Sequence, residues 1–458
     1  MSSLRMPIGA KLEVILRGTN PNTWRDYQEE FKSSTKRKAI LKRVPLLGLY
    51  AGGSFLILVI FFFTGTWIFA HLKEADLKTV KKEKREDVTP ERLSKADLPS
   101  LLRHMKLDSL TVKGEYLISK EGAKLMVETS LNLSLQHYII NLLNRSLTYQ
   151  AAVVVMRPDN GQILAMANYE NQPRRERENL CLKADFPAAS LFKIIAAAAA
   201  IEAKDFTPEK TLTFRGGKYT LYKNQLKQDR GRYTRKTSFK RAFSGSINPV
   251  FGKIGVYDLG KELMTEYADR FLFNHPIPFD LPLDMSSINV PDDDFGLAEI
   301  ASGFNKRTLI SPLHAVLITS AVANKGNIME PWVIRMISHE SGKILYRATP
   351  SILTNPIKGN TSKNLRILME DTVRYGTCRK AFVSVRHKKV FKNINMGAKT
   401  GTINDSLDQY RYDWLTAYAL PNNGDGGICV AVLAIHGKKL GIRAKELAKY
   451  IINYHFTS

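Results

Sequence analysis

The sequence predicts an α+β fold, with a central antiparallel sheet flanked by helices and a helical lobe, preceded by one transmembrane helix. Three observations predict it. β-rich runs occur at two distant places, 151–169 and 391–435. The stretch between them carries mostly helical patterns. An uncharged apolar run, 44–70, precedes both and is long enough to span a bilayer. The implied organisation is a basic tail over 1–43, a transmembrane helix over 44–70, a stalk or short linker over 71–125, and one folded domain over 126–458.

Residues 44–70 read Leu46-Leu47-Gly48-Leu49 through Phe61-Phe62-Phe63 to Trp67-Ile68-Phe69. A cleaved leader would be shorter and nearer the N-terminus. Lys36, Arg37, Lys38, Lys42 and Arg43 flank the run on one side. The other flank mixes Lys73, Lys78, Lys81, Lys82, Lys84 and Arg85 with five acidic residues. Basic residues on both sides favour the cytoplasm, so orientation is decided by function. The formal charge of +25, from 68 basic and 43 acidic residues, points to an anionic partner. Neither zinc-type Cys/His spacing nor an RNA-binding aromatic motif supports nucleic acid, and the membrane surface accounts for the charge more simply. Cys181, Cys378 and Cys429 are too few and too far apart for a disulfide framework, and Cys429 sits in the apolar run Ile428–Val432.

Within the domain, Tyr138, Ile139, Leu142 and Leu143 recur at helical spacing, predicting a helix over 136–147. Ala151–Met156 reads as a β run, Pro158-Asp159-Asn160-Gly161 as a turn and Ile163–Tyr169 as the returning strand of a hairpin. Residues 391–402, 415–420 and 427–435 read as strands, and 440–454 as a closing helix. The sheet is thus assembled from both ends of the domain. Residues 204–241 are unusually basic, with Lys218, Lys223, Lys227, Arg230, Arg232, Arg235, Lys236, Lys240 and Arg241. They read as a solvated loop, with contact to an anionic glycan, lipid headgroup or partner as the alternative. Asp292-Asp293-Asp294 reads as a solvated loop rather than a metal site, and no metal or cofactor is expected.

The chemistry lies in three short motifs. Ser190 precedes Lys193 by three residues at the start of an alanine-rich helix, so the two share a face. A serine hydroxyl needs a base, and a lysine serves only if burial or a second cation lowers its pKa. Ser246-Ile247-Asn248 and Lys399-Thr400-Gly401-Thr402 follow. In that order, Ser-x-x-Lys, Ser-x-Asn and Lys-Thr-Gly are shared with penicillin-binding proteins and serine β-lactamases. The chain resembles the penicillin-binding protein transpeptidase family from about Leu125 to the C-terminus. Thr237-Ser238-Phe239, Leu297–Gly303, Ser311–Ala315, Val373–Ala381 and Asp413-Trp414 extend the resemblance.

The resemblance implies a membrane-anchored peptidoglycan D,D-transpeptidase of the monofunctional type. Ser190 would be acylated by a D-Ala-D-Ala stem peptide, with Lys193 as its base. Ser246 would relay the proton to the leaving D-alanine, and Asn248 would hold Lys193 and the substrate amide. Lys399 would attract the substrate carboxylate and help depress the Lys193 pKa. Thr400 and Thr402 would bond that carboxylate, and the Ser190 and Thr402 N–H groups would form the oxyanion hole. Gly401 would leave room for the acyl carbonyl. β-Lactams would be covalent inhibitors. The N-terminus would be cytoplasmic, the domain periplasmic or extracellular. Residues 72–125 are too few for a glycosyltransferase or a large pedestal, which suggests a membrane glycan polymerase of the SEDS type as partner. D,D-carboxypeptidase or β-lactamase chemistry, or a scaffold or β-lactam sensor role, are the alternatives. Class A β-lactamases deacylate with a Glu-x-x-Leu-Asn glutamate after Ser-x-Asn. Here Glu128–Asn132 has that pattern but precedes Ser190, so it is read as a decoy.

Overall fold

The computed structural model describes residues 92–107, 113–120, 122–171, 178–227 and 231–458. The expected tail, the expected transmembrane segment and about half of the stalk lie outside the described residues, as does Arg230. Among the described residues no helix is long and apolar enough to cross a membrane.

Along the chain, β1 (Glu115–Lys120) and β2 (Ala123–Thr129) form a hairpin. α1 (Leu133–Asn144) follows, then β3 (Gln150–Met156) and β4 (Ile163–Glu170). α2 (Lys193–Lys204), α3 (Phe239–Ser244), α4 (Asn248–Lys253), α5 (Asp294–Ser302) and α6 (Pro312–Ala323) make up most of the helical middle. β5 (Ile334–His339) and β6 (Ile344–Arg347) then return to the β1–β2 hairpin, and α7 (Gly359–Arg374) precedes the late strands. These are β7 (Ile394–Asn404), β8 (Arg411–Pro421) and β9 (Ile428–His436), closed by α8 (Ala444–Thr457).

The central sheet runs β7-β8-β9-β3-β4, antiparallel throughout. It is built from the two ends of the domain, as the sequence implied. β9 is buried along its whole length because helices cover both faces. α1 and α8 lay Leu135, Ile139, Leu447 and Ile451 on one face. α6 lies on the other, and every one of its residues is buried, so it is apolar all round rather than amphipathic. α2 is buried from Lys193 to Ile201, and its run of small alanines lets neighbouring elements pack close.

Several boundaries shift from the sequence reading, each for a local reason. α1 starts at Leu133 because Asn132 Oδ1 accepts the Leu135 N–H at 3.0 Å and caps it. β7 starts at Ile394 because a 3₁₀ turn, Lys389–Asn393, precedes it. Part of the basic stretch expected as a loop forms a two-stranded ribbon, Thr211–Phe214 with Arg235–Ser238, and Arg235 stacks on Phe214. Asp293 accepts the Gly296 N–H at 2.9 Å and caps α5, while Asp292 pairs with Lys261 at 2.7 Å. Glu128 sits on β2 opposite Glu115, away from the Ser190 turn. All three cysteines are buried and none forms a disulfide among the described residues.

The largest correction concerns the 125/126 boundary, which falls inside β2. The compact unit takes in the described residues from 92 onward. β1 and β2 belong to a second sheet ordered β1-β2-β5-β6, so the segment read as linker is paired with strands from far downstream. Asp280 pins that junction. Its carboxylate is fully buried and accepts the N–H groups of Val333 and Ile334 at 2.6 and 2.8 Å, with Lys95 3.7 Å away. Asp280→Ala strands two buried donors and is expected to cost about 2–4 kcal/mol, seen as a lower melting temperature. Asp280→Asn keeps an acceptor and should cost clearly less; equal losses would count against the pinning role.

Candidate active site

The Ser190 turn is held from three sides. Phe186-Pro187 pairs with Leu309-Ile310, and a 3₁₀ turn, Ala189–Phe192, then runs straight into α2. Ala189 takes a left-handed φ of 49°. Trp414 on β8 donates its indole N–H to the Pro187 carbonyl at 2.9 Å. Two glycines face Ala189. A Cβ on Gly303, whose φ is +63°, would lie 1.9 Å from the Ala189 carbonyl oxygen. A Cβ on Gly401 would lie 3.3 Å from Ala189 Cβ and 3.4 Å from the Ser190 nitrogen. Gly401 thus lets the edge strand β7 sit tightly against the serine turn.

Lys193 is fully buried. Its Nζ lies 2.9 Å from Ser190 Oγ and 2.8 Å from Asn248 Oδ1, and it also donates to the Ser302 carbonyl. Two of these three partners, an amide oxygen and a carbonyl, only accept. A neutral amine has two N–H groups for them and one lone pair for the hydroxyl. Burial and the nearby Lys399 charge, in that order, hold the Lys193 amine well below the usual lysine range. Asn248 is oriented in turn by donating Nδ2–H to the Tyr219 carbonyl at 2.9 Å.

Ser246 lies at the bend between α3 and α4 with φ at 52°. Ser238 caps α3 by accepting the Arg241 N–H, which fixes the approach to that bend. Lys399 Nζ donates to Ser246 Oγ at 3.0 Å and to the Thr400 carbonyl at 2.8 Å. Lys399 is also fully buried, and burial pushes its amine down to about 7. The structure therefore brings these residues to one cleft as two hydrogen-bonded groups, Ser190 with Lys193 and Asn248, and Ser246 with Lys399.

Thr400 Oγ1 lies 2.7 Å from Thr377 Oγ1. Thr402 Oγ1 donates to Asp413 Oδ1 at 3.3 Å, so its hydroxyl proton points away from the carboxylate it was expected to hold. Asp413 is buried against a desolvation cost, yet His436, Arg443 and the Ala444 N–H hold its carboxyl well below the ordinary range. β7 is the edge strand of its sheet. The Thr400 carbonyl faces Lys399 rather than β8, and the two-residue alternation puts the Thr402 N–H on the same open edge. A cleft of about 460 Å³ runs along that edge beside Ser190, Ser246 and Asn248.

Sequence reasoning missed the Ser302 carbonyl, the close approach of Gly303 and the Thr377 hydroxyl. Gly303 at the end of α5 was a legible helix stop. That its turn faces Lys193 is set by tertiary packing alone.

The two buried amines set a pH dependence. The acylation rate should rise with pH as Lys193 gives up its proton. If Lys399 attracts a substrate carboxylate, the rate should fall above about 7 as its amine loses its charge. Penicillin acylation rates measured from about pH 5 to about pH 9 check this; a rate that stays flat above 7 would remove Lys399 from that role.

The family model for the penicillin binding protein transpeptidase domain matches residues 151–453, well over half of the chain. The chain belongs to the penicillin-binding protein transpeptidase family. Among curated relatives of this transpeptidase domain, Stage V sporulation protein D of Bacillus subtilis is 27% identical over 302 residues, covering 63% of this chain and 45% of that protein. The peptidoglycan D,D-transpeptidase PbpA of Mycolicibacterium smegmatis is 21% identical over 319 residues, covering 63% and 62%. The chain thus spans less than two-thirds of the length of either. Solved structures share the transpeptidase fold. The D,D-transpeptidase domain of a peptidoglycan glycosyltransferase from Eggerthella lenta matches with a TM-score of 0.59 at 22% identity, over 71% of this chain and 82% of that one. The imipenem acyl-enzyme of penicillin-binding protein A from M. tuberculosis matches with a TM-score of 0.59 at 21% identity, over 71% and 78%.

Proposed function

We propose that this chain is a membrane-anchored peptidoglycan D,D-transpeptidase that cross-links stem peptides and is acylated by β-lactams. The observation that carries the reading is the fully buried Lys193 Nζ, 2.9 Å from Ser190 Oγ and held by the Asn248 Oδ1 and Ser302 carbonyl acceptors.

In this reading Lys193 takes the Ser190 proton and Ser190 Oγ attacks the carbonyl of the penultimate D-alanine. The N–H groups of Ser190 and Thr402 stabilise the oxyanion, each donor contributing about 3 kcal/mol. Ser246, bonded to Lys399, passes a proton to the leaving D-alanine as the C–N bond breaks. Lys399, Thr400 and Thr377 receive its carboxylate. An amine of a second stem peptide then attacks the acyl-enzyme, releasing Ser190. The Asp413 carboxylate on the cleft is tied to Arg443 at 2.6 Å and is not free to activate water. That favours a long-lived acyl-enzyme over β-lactamase turnover. Residues 44–70 would anchor the domain on the outer side of the cytoplasmic membrane, and a SEDS-type glycan polymerase would supply the strands. The printed name of the M. smegmatis relative, a peptidoglycan D,D-transpeptidase, supports the reaction class.

The test is labelling of the purified protein with a fluorescent penicillin, beside Ser190→Ala. A persistent covalent band in wild type and none in Ser190→Ala is expected. A band that forms and fades would indicate hydrolysis, and no band in either would favour a scaffold.

A further inference from the structure

Beyond Thr402 the cleft changes character. Arg411, Arg443 and Lys445 line it there, against the single carboxylate of Asp413 among its lining residues. Arg443 is committed to that carboxylate through two bonds, at 2.6 and 3.1 Å. Among the described residues neither Arg411 nor Lys445 is ion-paired, and Arg411 Nε is buried without a hydrogen-bond partner. Arg411 and Lys445 therefore carry positive charge that no carboxylate among the described residues neutralises. A desolvated guanidinium N–H without an acceptor is costly to keep unless a ligand supplies one.

The register shows what passes there. Along β7, Thr402 pairs with Asp413 and Asn404 with Arg411 on β8. Moving from Lys399 toward Asn404 leads away from the buried lysine and toward Arg411. β7 offers a free edge, and an extended peptide adds to such an edge as an antiparallel strand. With its C-terminal carboxylate at Lys399 and Thr400, such a peptide has its scissile carbonyl at Ser190, and its preceding residues run out past Thr402.

We propose that Arg411, Arg443 and Lys445 form a second anion site, which receives a free side-chain carboxylate on the residue preceding the acylated D-alanine. This rests on the acyl-transfer reading above and narrows its substrate. The preferred donor carries a diamino diacid with its carboxylate free at that position, rather than lysine or the amidated diacid. Arg443, already held by Asp413, presents its remaining guanidinium face. Arg411 and Lys445 supply the uncompensated charge.

The experiment uses the full-length protein and two synthetic donor thioesters that differ only in that side chain, one with a free carboxylate and one with its amide. Acyl-enzyme formation at Ser190 is followed by intact mass. Wild type should be acylated about tenfold faster by the carboxylate donor, and Arg411→Gln with Lys445→Gln should bring the ratio toward one. Raised salt should lower the wild-type ratio as well, which keeps the idea testable if the double variant folds poorly. Equal wild-type rates for the two donors would overturn the proposal. So would a double variant that slows both donors in the same proportion. A wild-type protein that takes up neither donor nor fluorescent penicillin would overturn the underlying acyl-transfer reading instead, and the penicillin control separates that outcome from the others.

Discussion

Lys193→Met is expected to lower the rate of acylation by penicillin about a thousandfold while leaving the fold intact. The side chain is fully buried among apolar residues of α2 and close to the Phe251 ring, 5.5 Å from its centroid. Methionine has nearly the same length and shape, so packing survives. What disappears is the only amine within bonding distance of Ser190 Oγ among the described residues. Without it the hydroxyl must be deprotonated by solvent, and general-base assistance is worth ~10²–10⁴ in rate. The melting temperature should change little, because removing a buried amine held far below its usual pKa is offset by leaving the Asn248 Oδ1 and Ser302 carbonyl without that donor. The checks are the second-order acylation rate and the melting temperature. A variant that still acylates within about tenfold of wild type would place the base elsewhere.

Gly303→Ala should damage acylation comparably from a position that carries no functional group. The residue ends α5 in the left-handed conformation, and its missing Cβ is occupied by the Ala189 carbonyl. An alanine there must push the serine turn, the Ser302 carbonyl, or both. Displacing a reacting atom by about 1 Å costs ~10²-fold in rate, so a loss of a hundredfold or more is expected. Gly424→Ala is the control: its φ is +87°, but a Cβ there meets nothing within 4 Å. It carries the same conformational penalty, about 1 kcal/mol, and should acylate normally. If Gly303→Ala acylates as fast as Gly424→Ala, the close approach has no bearing on the chemistry.

These two cases mark what the sequence could and could not disclose. Ser190, Lys193, Ser246, Asn248 and Lys399 were legible because acyl transfer restricts residue type and spacing within each motif. The fold class was legible because strand and helix periodicities are local. The Ser302 carbonyl was not, since a backbone oxygen leaves no trace in residue identity. The Thr402 hydroxyl was assigned to substrate, yet it turns to Asp413, a residue on the neighbouring strand whose charge is set by Arg443 further on. β1 and the start of β2 were read as linker because the stabilising partner, β5, lies more than 200 residues downstream and no local pattern advertises it.

The interleaving of the central sheet has a consequence for biogenesis. β3 and β4 are synthesised early, but β3 pairs with β9, which emerges near the end of the chain. The helical middle must therefore be held in a partly assembled state, with the apolar faces of β3 and β4 waiting for a late partner. Lys399 and its strand arrive after Ser190 and Lys193 have been made. The nucleophile is thus made before Lys399 and β7, and the site cannot be complete until that late strand has joined the sheet.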